Sequence, residues 1–404
     1  MKQLTEIADR LTTFASRRRH NRRALAAVSA TALIAALTAC SSSSSSPKAA
    51  STVAGGSSPS VSYAAAQVAT YRGLRTAFSP PGPVLNGVKA KLSGRTVWFI
   101  PVFLQASSFQ AEAHSLTAAL QTVGAQVHIC DARLSPSTAD RCVREAIATN
   151  AAGIVTSAID YAFAPTSFKA AAAAHIPVVA ADDDDTGAQA FPASSVARQL
   201  TSGAPLWAAL AADWIIADSK GRAHVLYAAD DASAGVIAAN AVTHEFAAHC
   251  PQCKVTVVHF SDAALPKLAT AVSSGLISAP DVNYVYGAYD APAGIYALQG
   301  AKQIKGRTPK FVTITGSPVG LARVAAGDQA ADAGVDTAAF SWIMADALFR
   351  LILGVPQVTY QPQVRLFTKD NVPHNTKNVD AYNSGSWYSN GGFRAMYLKV
   401  WGLS

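Results

Sequence analysis

Two periods of hydrophobic patterning alternate along most of this chain. Short runs of apolar, β-branched and aromatic residues read as buried strands, and each precedes a longer stretch with apolar residues at helical spacing. From Gly94 the pattern predicts a strand in RTVWFIPV, a loop in LQASSFQ and a helix in AEAHSLTAALQTVG. Leu116, Leu120 and Val123 share one face of that helix, and Gly124 caps its C-terminus. A strand in AQVHICDA and a helix in SPSTADRCVREAIAT follow, the helix opened by Ser135 or Ser137.

The stretch 150–187, NAAGIVTSAIDYAFAPTSFKAAAAAHIPVVAADDDDTG, is the most regular part. GIVTSA is a strand running to Asp160. An alanine-rich helix with Pro165 in its first turn follows, and Pro177 breaks it before Val178–Ala181 run into Asp182. This is a βαβ crossover, which implies a parallel sheet with helices on both faces. Ligands of such sheets sit beyond the carboxyl ends of the strands, so Asp160 and Asp182 stand where a small molecule would bind.

The pattern breaks near 193–205 and restarts with a helix in PLWAALAADWIIADS. Strands recur in AHVLYAADD, KVTVVHF, VNYVYGAYD and PKFVTITG, and helices in AGVIAANAVTHEFAAH, LPKLATAVSSGLIS and APAGIYALQGAKQI. A long helix, GVDTAAFSWIMADALFRLILG, ends at Gly354 and Pro356 and is expected to return to the first lobe. The fold class is therefore α/β, two doubly wound parallel-sheet lobes joined by a hinge. The first lobe takes 94–200 and 337–356, the second 201–336. Residues 61–93 are an N-terminal extension expected to wrap the first lobe, and the aromatic tail 357–404 is expected to pack across both.

Composition agrees: 404 residues, 50% hydrophobic and 14% charged, suffice for two domains of ordinary size. The net charge of +8 is not read as a nucleic-acid footprint, because residues 1–39 supply +5 of it through seven Lys and Arg against Glu6 and Asp9. Arg17–Arg23 form a basic region, and 24–37 are an apolar run too short for a comfortable membrane span, the form of an export signal. It ends Leu37-Thr38-Ala39-Cys40, which resembles the bacterial lipobox and implies that residues 1–40 are a signal peptide and Cys40 the lipidated anchor. The paired arginines leave twin-arginine export open. Residues 41–60, rich in serine, read as a flexible tether. The expected location is the outer face of the bacterial cell membrane.

Export permits disulfides. Cys250 and Cys253 form a CxxC, which can be a redox or zinc element. This one follows a helix rather than opening one, and no second ligand pair is near, so a structural disulfide is expected. Cys130 and Cys142 are expected as a second bridge. The histidines are scattered, and Trp207 and Trp214, seven apart on one helix, are expected in the core. The run Asp182–Asp185 carries oxygens suited to a hard cation but lacks the spacing of a calcium loop, and one or two ligand-binding acids are the preferred reading.

Three segments carry a family resemblance: GIVTSAIDYAFAPTSFKAAAAAHIPVVAADDD, VYGAYDAPAGIYALQGAK and PKFVTITGSPVGLARVAAGDQAADAGVD. Together they resemble the ribose-type (type I) periplasmic binding proteins, the substrate-binding subunits of ABC importers, over Gly94 to about Gly354. LacI-type repressors share that fold but open with a DNA-binding motif where this chain has a lipobox leader. The resemblance implies a small polar, sugar-like ligand held in a cleft between lobes, an ABC permease as partner, a monomer, and no cofactor, metal or nucleic acid. Residue by residue it implies ligand contacts from Gln105, Ser107, Ser108 and Phe109 in the first loop and from Asp160, Asp182 and Asp183 on the next strand ends. In the second lobe it implies Asp231, Ser233, Tyr289, Asp290, Thr315 and Asp336.

The chain also departs from the family. Asp183 stands where an arginine is usual, and Val236 or Ala238 replaces another arginine of the second lobe. Acids without arginines would suit an amine-bearing ligand, or hydroxyls read by carboxylates alone. The chain shows no nucleophile elbow, phosphate loop or HExxH. Two carboxylates can hydrolyse glycosides, but the family's strand-end acids bind rather than cut, so no enzyme is expected. A surface sensor signalling its ligand-bound state is the alternative role.

Overall fold

The computed structural model describes residues 59–184 and 190–403. Cys40, the leader and nearly all of the tether lie outside the described residues, as does Asp185. The chain opens with α1 (Pro59–Tyr71) and α2 (Val88–Leu92). The first lobe then alternates β1 (Thr96–Pro101), α3 (Ser107–Gln121), β2 (Gln126–Ile129), α4 (Pro136–Ala148), β3 (Gly153–Ser157), α5 (Pro165–Ala173), β4 (Val178–Ala181) and β5 (Ala197–Leu200). The second holds α6 (Ala204–Asp218), β6 (His224–Asp230), α7 (Ser233–His249), β7 (Lys254–Phe260), α8 (Leu268–Ser278), β8 (Tyr284–Tyr286), α9 (Ala293–Lys302), β9 (Lys310–Ile314), α10 (Pro318–Ala326) and β10 (Ala331–Val335). Then come α11 (Thr337–Leu353), β11 (Val364–Thr368), α12 (Val379–Asn383) and α13 (Phe393–Val400).

The first sheet is wholly parallel, in the order β2-β1-β3-β4-β5. The second runs β11-β10-β9-β8-β6-β7 and is parallel except for β11, which pairs antiparallel with β10. The central strands β3, β4 and β10 are buried throughout, which explains why they read as continuous apolar runs rather than alternating ones. The two-lobe α/β architecture read from the sequence is the one the chain adopts.

Helix α11 leaves lobe two and enters the core of lobe one. Thr337 to Leu351 are all buried, so it is apolar all round rather than amphipathic. Its one charged pair is internal. Asp346 Oδ2 accepts from Arg350 Nε at 2.7 Å and from the Tyr360 hydroxyl at 2.6 Å, and Asp346 Oδ1 accepts from Trp401 Nε1 at 2.9 Å. These bonds offset the desolvation that burying two charges costs.

Three parts of the trace differ from the reading above. Helix α1 puts Ala64 into the core of lobe two, with residues of α6, and does not wrap lobe one; the extension joins the core of lobe one from Phe78 onward. Residues 197–200 and 364–368 are strands at sheet edges. Each is too short for a periodic signal, and both lie outside the βα units that made the rest legible. The end of the tail returns to lobe one, where Phe393, Tyr397, Val400 and Trp401 pack on α11.

Both cysteine pairs are closed, Cys130–Cys142 and Cys250–Cys253. The first ties the end of β2 to α4. The second closes the turn between α7 and β7. Trp207 is buried in the core of lobe two, and Trp214 packs at its edge.

Candidate functional site

The carboxyl ends of β3, β4 and β5 bring several polar side chains together. Ser157, the last residue of β3, is fully buried, and its Oγ has no hydrogen-bond partner among the described residues. Ser202, just beyond β5, is in the same state. Asp182 follows β4 directly and holds φ at 52°, a left-handed conformation that aspartate tolerates better than most residues. Glu112 approaches from the second turn of α3. It is only 4% exposed, and its Oε2 has no hydrogen-bond partner among the described residues.

Electrostatics ties these four together. Burial, then the charge of Asp182, pushes the Glu112 carboxyl well above the ordinary carboxylate range, and Ser157 pulls the other way. Burial raises Asp182, and the Ser202 hydroxyl counters it. The result is a carboxyl pair with two serine hydroxyls beside it, at the sheet edge where open α/β folds hold ligands. The two serine hydroxyls thus stand beside the two carboxyls, and the polar groups of this edge face one another.

Glu112 was not among the residues picked from sequence. It lies one turn beyond Ser108, on the same face of α3, and that i,i+4 relation was the available signal. Of the first-loop group, Gln105 is exposed, while Ser107, Ser108 and Phe109 are half-buried on the opening turn of α3. Asp160 is half-buried ahead of a short 3-10 turn. Asp183 is turned into its own lobe, where the Gln199 amide donates to its Oδ1 at 3.1 Å and to its carbonyl at 3.0 Å.

The second lobe presents a different picture. Asp290 is 1% exposed and its carboxylate is engaged inside the lobe. Thr313 Oγ1 donates to Oδ1 at 2.6 Å, the Ser317 amide and hydroxyl donate to Oδ2 at 2.8 and 2.7 Å, and Arg323 lies at 3.3 Å. Asp332 stands beside it, pushed well up by burial and then by Asp290. This strand-end acid is the centre of a buried network. Asp231 points to the exposed sheet edge and meets His259 Nδ1 at 2.9 Å. Ser233 opens α7, and Tyr289 packs half-buried on the apolar cluster of Leu226 and Phe311. Asp336 is fully buried and caps α11, accepting from the Ala339 amide at 3.0 Å and from Ser389 Oγ at 2.8 Å.

The tail accounts for much of this. Tyr382, Trp387 and Tyr388 form one buried cluster with Ala111 of α3, Leu321 of α10 and Phe367 of β11, joining the two lobes. Tyr388 donates to the Gly316 carbonyl at 2.6 Å, in the loop that also holds Thr315. Thr315 Oγ1 in turn accepts from the Asp290 amide at 3.1 Å. Of the positions expected to contact a ligand in lobe two, Asp336 is thus covered by the chain itself, and Thr315 is half-buried beside the tail.

The sequence from 98 to 355 matches the model of the periplasmic binding protein domain. The chain belongs to that family. Among solved structures, this binding protein is similar to a galactofuranose-binding protein, with 18% identity and TM-score 0.59 over 72% of this chain and 99% of the other. It is also similar to the Caulobacter myo-inositol-binding protein, with 18% identity and TM-score 0.60 over 72% and 97%. A 5-methylthioribose transporter binding protein from Thermotoga lettingae matches with 14% identity and TM-score 0.61 over 78% and 99%. At these identities the likeness concerns the fold. No curated protein matches the sequence. Among the described residues, no helix is long and apolar enough to cross a membrane, and no group of three or more His, Cys, Asp or Glu could hold a metal ion.

Proposed function

We propose that this protein captures a small polyhydroxylated, sugar-like solute outside the cytoplasm and delivers it to an ABC importer, acting as a monomer held to the membrane by lipid on Cys40. The observation that carries the reading is the gathering of Glu112, Asp182, Ser157 and Ser202 at the carboxyl edge of the sheet, in a chain whose family is that of periplasmic binding proteins. Hydroxyls of a sugar would complete these groups, since each can both donate and accept. Relatives in fold bind galactofuranose, myo-inositol and 5-methylthioribose, which are compact polyols and sugars of the size such an edge takes.

The binding half is lobe one, with Asp182 and Glu112 as its principal acceptors and Ser108 and Phe109 at its rim. The role of lobe two is closure, limited by the tail that already bridges Ala111 and Leu321. A ligand that contacts both lobes shifts the open and closed populations by its differential affinity, and the closed form is what a permease would read. The test is native mass spectrometry of the purified body with gentle release. A co-purified species of monosaccharide mass, lost in Asp182→Ala and in Glu112→Ala, is the expected result. A protein that is empty and is not stabilised by any sugar or polyol overturns the reading.

A further inference from the structure

We propose that the two terminal segments of this chain form a strap that holds the lobes at one angle, so that a ligand is taken without a wide swing of lobe two. This holds whichever solute the protein takes.

The strap lies outside the domain that the family shares. Within the alternation of βα units the chain passes between the lobes at 201–203, at Asp336 and at 354–363. Each terminus adds a passage of its own, outside the matched span 98–355. The N-terminal passage starts with α1 in the core of lobe two and ends with Leu85, Val88 and Leu92 in the core of lobe one. The C-terminal passage starts at β11 of the second sheet and ends with Phe393, Tyr397 and Trp401 in that same core of lobe one.

The two passages are bonded to each other along their length. Arg75 and Ser389 form a parallel bridge, in which the Arg75 amide donates to the Tyr388 carbonyl at 2.9 Å and the Asn390 amide donates to the Arg75 carbonyl at 3.0 Å. On the side of lobe two, Arg365 Nε and Asn371 Nδ2 each donate to the Arg72 carbonyl at 3.0 Å. On the side of lobe one, Phe78 meets Phe393 edge-on with ring centroids 6.0 Å apart, and the Leu85 amide donates to the Val400 carbonyl at 2.6 Å.

The strap also grips the hinge. A hinge works by changing φ and ψ at the few residues where the chain crosses. Asp336 is the shortest crossing. Its amide donates to the carbonyl of Gln363, in another crossing, at 2.7 Å, and its carboxylate accepts from Ser389 of the strap at 2.8 Å. Gly385 holds φ at 74°, and a Cβ there would stand 2.5 Å from Asp336 Oδ1, so a turn of the strap lies directly on this residue. Tyr382, Trp387 and Tyr388, none more than 5% exposed, pack with Ala111 of α3 and Leu321 of α10. Aromatic rings of this kind bury roughly 150–250 Å² each. Swinging the lobes apart would return that surface to water.

The test is pulsed dipolar electron spin spectroscopy on the chain carrying Cys40→Ser. The other cysteines are closed in disulfides, so only added thiols take a spin label. Two pairs of exposed positions span the lobes: Gln121→Cys with Ser274→Cys, and Lys169→Cys with Lys305→Cys. With the strap intact, each pair should give one narrow distance peak. The released variant carries Gly-Ser inserts of about five residues after Ala77 and after Gly391, together with Trp387→Ala. Its peaks should broaden and gain a longer-distance component. Should that variant fail to fold, the inserts alone, which leave every side chain of the strap in place, give the same readout. A longer-distance component already present with the strap intact overturns the proposal. Peaks that stay equally narrow in the folded released variant overturn it as well, because the lobes are then held by something other than the strap.

Discussion

The hydroxyl of Tyr388 donates to the carbonyl of Gly316 over 2.6 Å, which fastens the tail onto the loop after β9. Gly316 holds φ at 62°, and a Cβ there would lie 2.0 Å from the Tyr388 oxygen. The tail and this loop are therefore fitted to each other, and the fit can be measured. Gly316→Ala should cost about 2–4 kcal/mol in urea denaturation, the sum of a left-handed alanine and an overpacked contact. Tyr388→Phe alone should cost about 1 kcal/mol. The double variant should lose less than the sum, because the phenylalanine removes the atom the new methyl strikes. Strict additivity would show that the contact does not form.

Asp336 makes stability depend on pH in a defined direction. Burial raises its pKa from 3.8 to about 6, against the pull of the Ala339 amide and Ser389. The folded state therefore holds the proton more tightly than the unfolded chain. Its contribution is fully present below about pH 4 and is lost as pH rises through 6, on the order of 2–3 kcal/mol. Asn keeps the helix cap without the titration. Comparing Asp336→Asn with wild type by denaturant titration at pH 4, 5, 6 and 7, the difference should shift in favour of the variant as pH rises. A constant difference would contradict the assignment.

How much of this could be read from the sequence depends on where each group sits. The βα units announced themselves because a buried parallel strand must be apolar and its helix must show one apolar face. The two edge strands did not, since four or five residues such as Ala197–Leu200 carry no period. Asp182 was picked because it follows a strand end in a recognisable segment. Asp290 was found by the same rule, yet it faces inward, because Ser317, Thr313 and Arg323 converge on it from neighbours distant in sequence. Glu112 was not picked for the converse reason: on its own helix it is an unremarkable acid, and only β3 and β4 bring Ser157 and Asp182 near it. Neither pattern nor resemblance could show that Tyr388 would reach Gly316 and that Ser389 would reach Asp336.

The two disulfides should differ in worth. Cys130 and Cys142 are 12 residues apart and Cys250 and Cys253 are 3 apart. On the chain-entropy model the longer loop contributes about 3 kcal/mol and the shorter about half of that. Alanine pairs at each site, compared by thermal and urea unfolding, should rank in that order. Equal losses would mean that packing of buried Cys142 and Cys250, rather than loop closure, sets the cost.

Removing the Asp346 carboxylate should be among the more damaging changes in the core. Asp346→Ala leaves Arg350, which is 1% exposed, without its counter-charge and frees the Tyr360 and Trp401 donors. A loss of about 3–5 kcal/mol is expected. Replacing both members, as Asp346→Leu with Arg350→Met, should recover a substantial part of it. A double variant as unstable as Asp346→Ala would show that the hydrogen bonds, not the stranded charge, carry the cost.

The most direct test of the account separates two acids that look alike in the sequence. Thermal unfolding of Asp182→Asn and Asp290→Asn would be followed with and without a panel of sugars, polyols and amino sugars. The account predicts that Asp182→Asn melts near wild type when empty and loses the ligand-induced rise, while Asp290→Asn melts well below wild type when empty because its buried network is broken. A variant Asp182→Asn that keeps the full ligand-induced rise would contradict the placement of the site on lobe one.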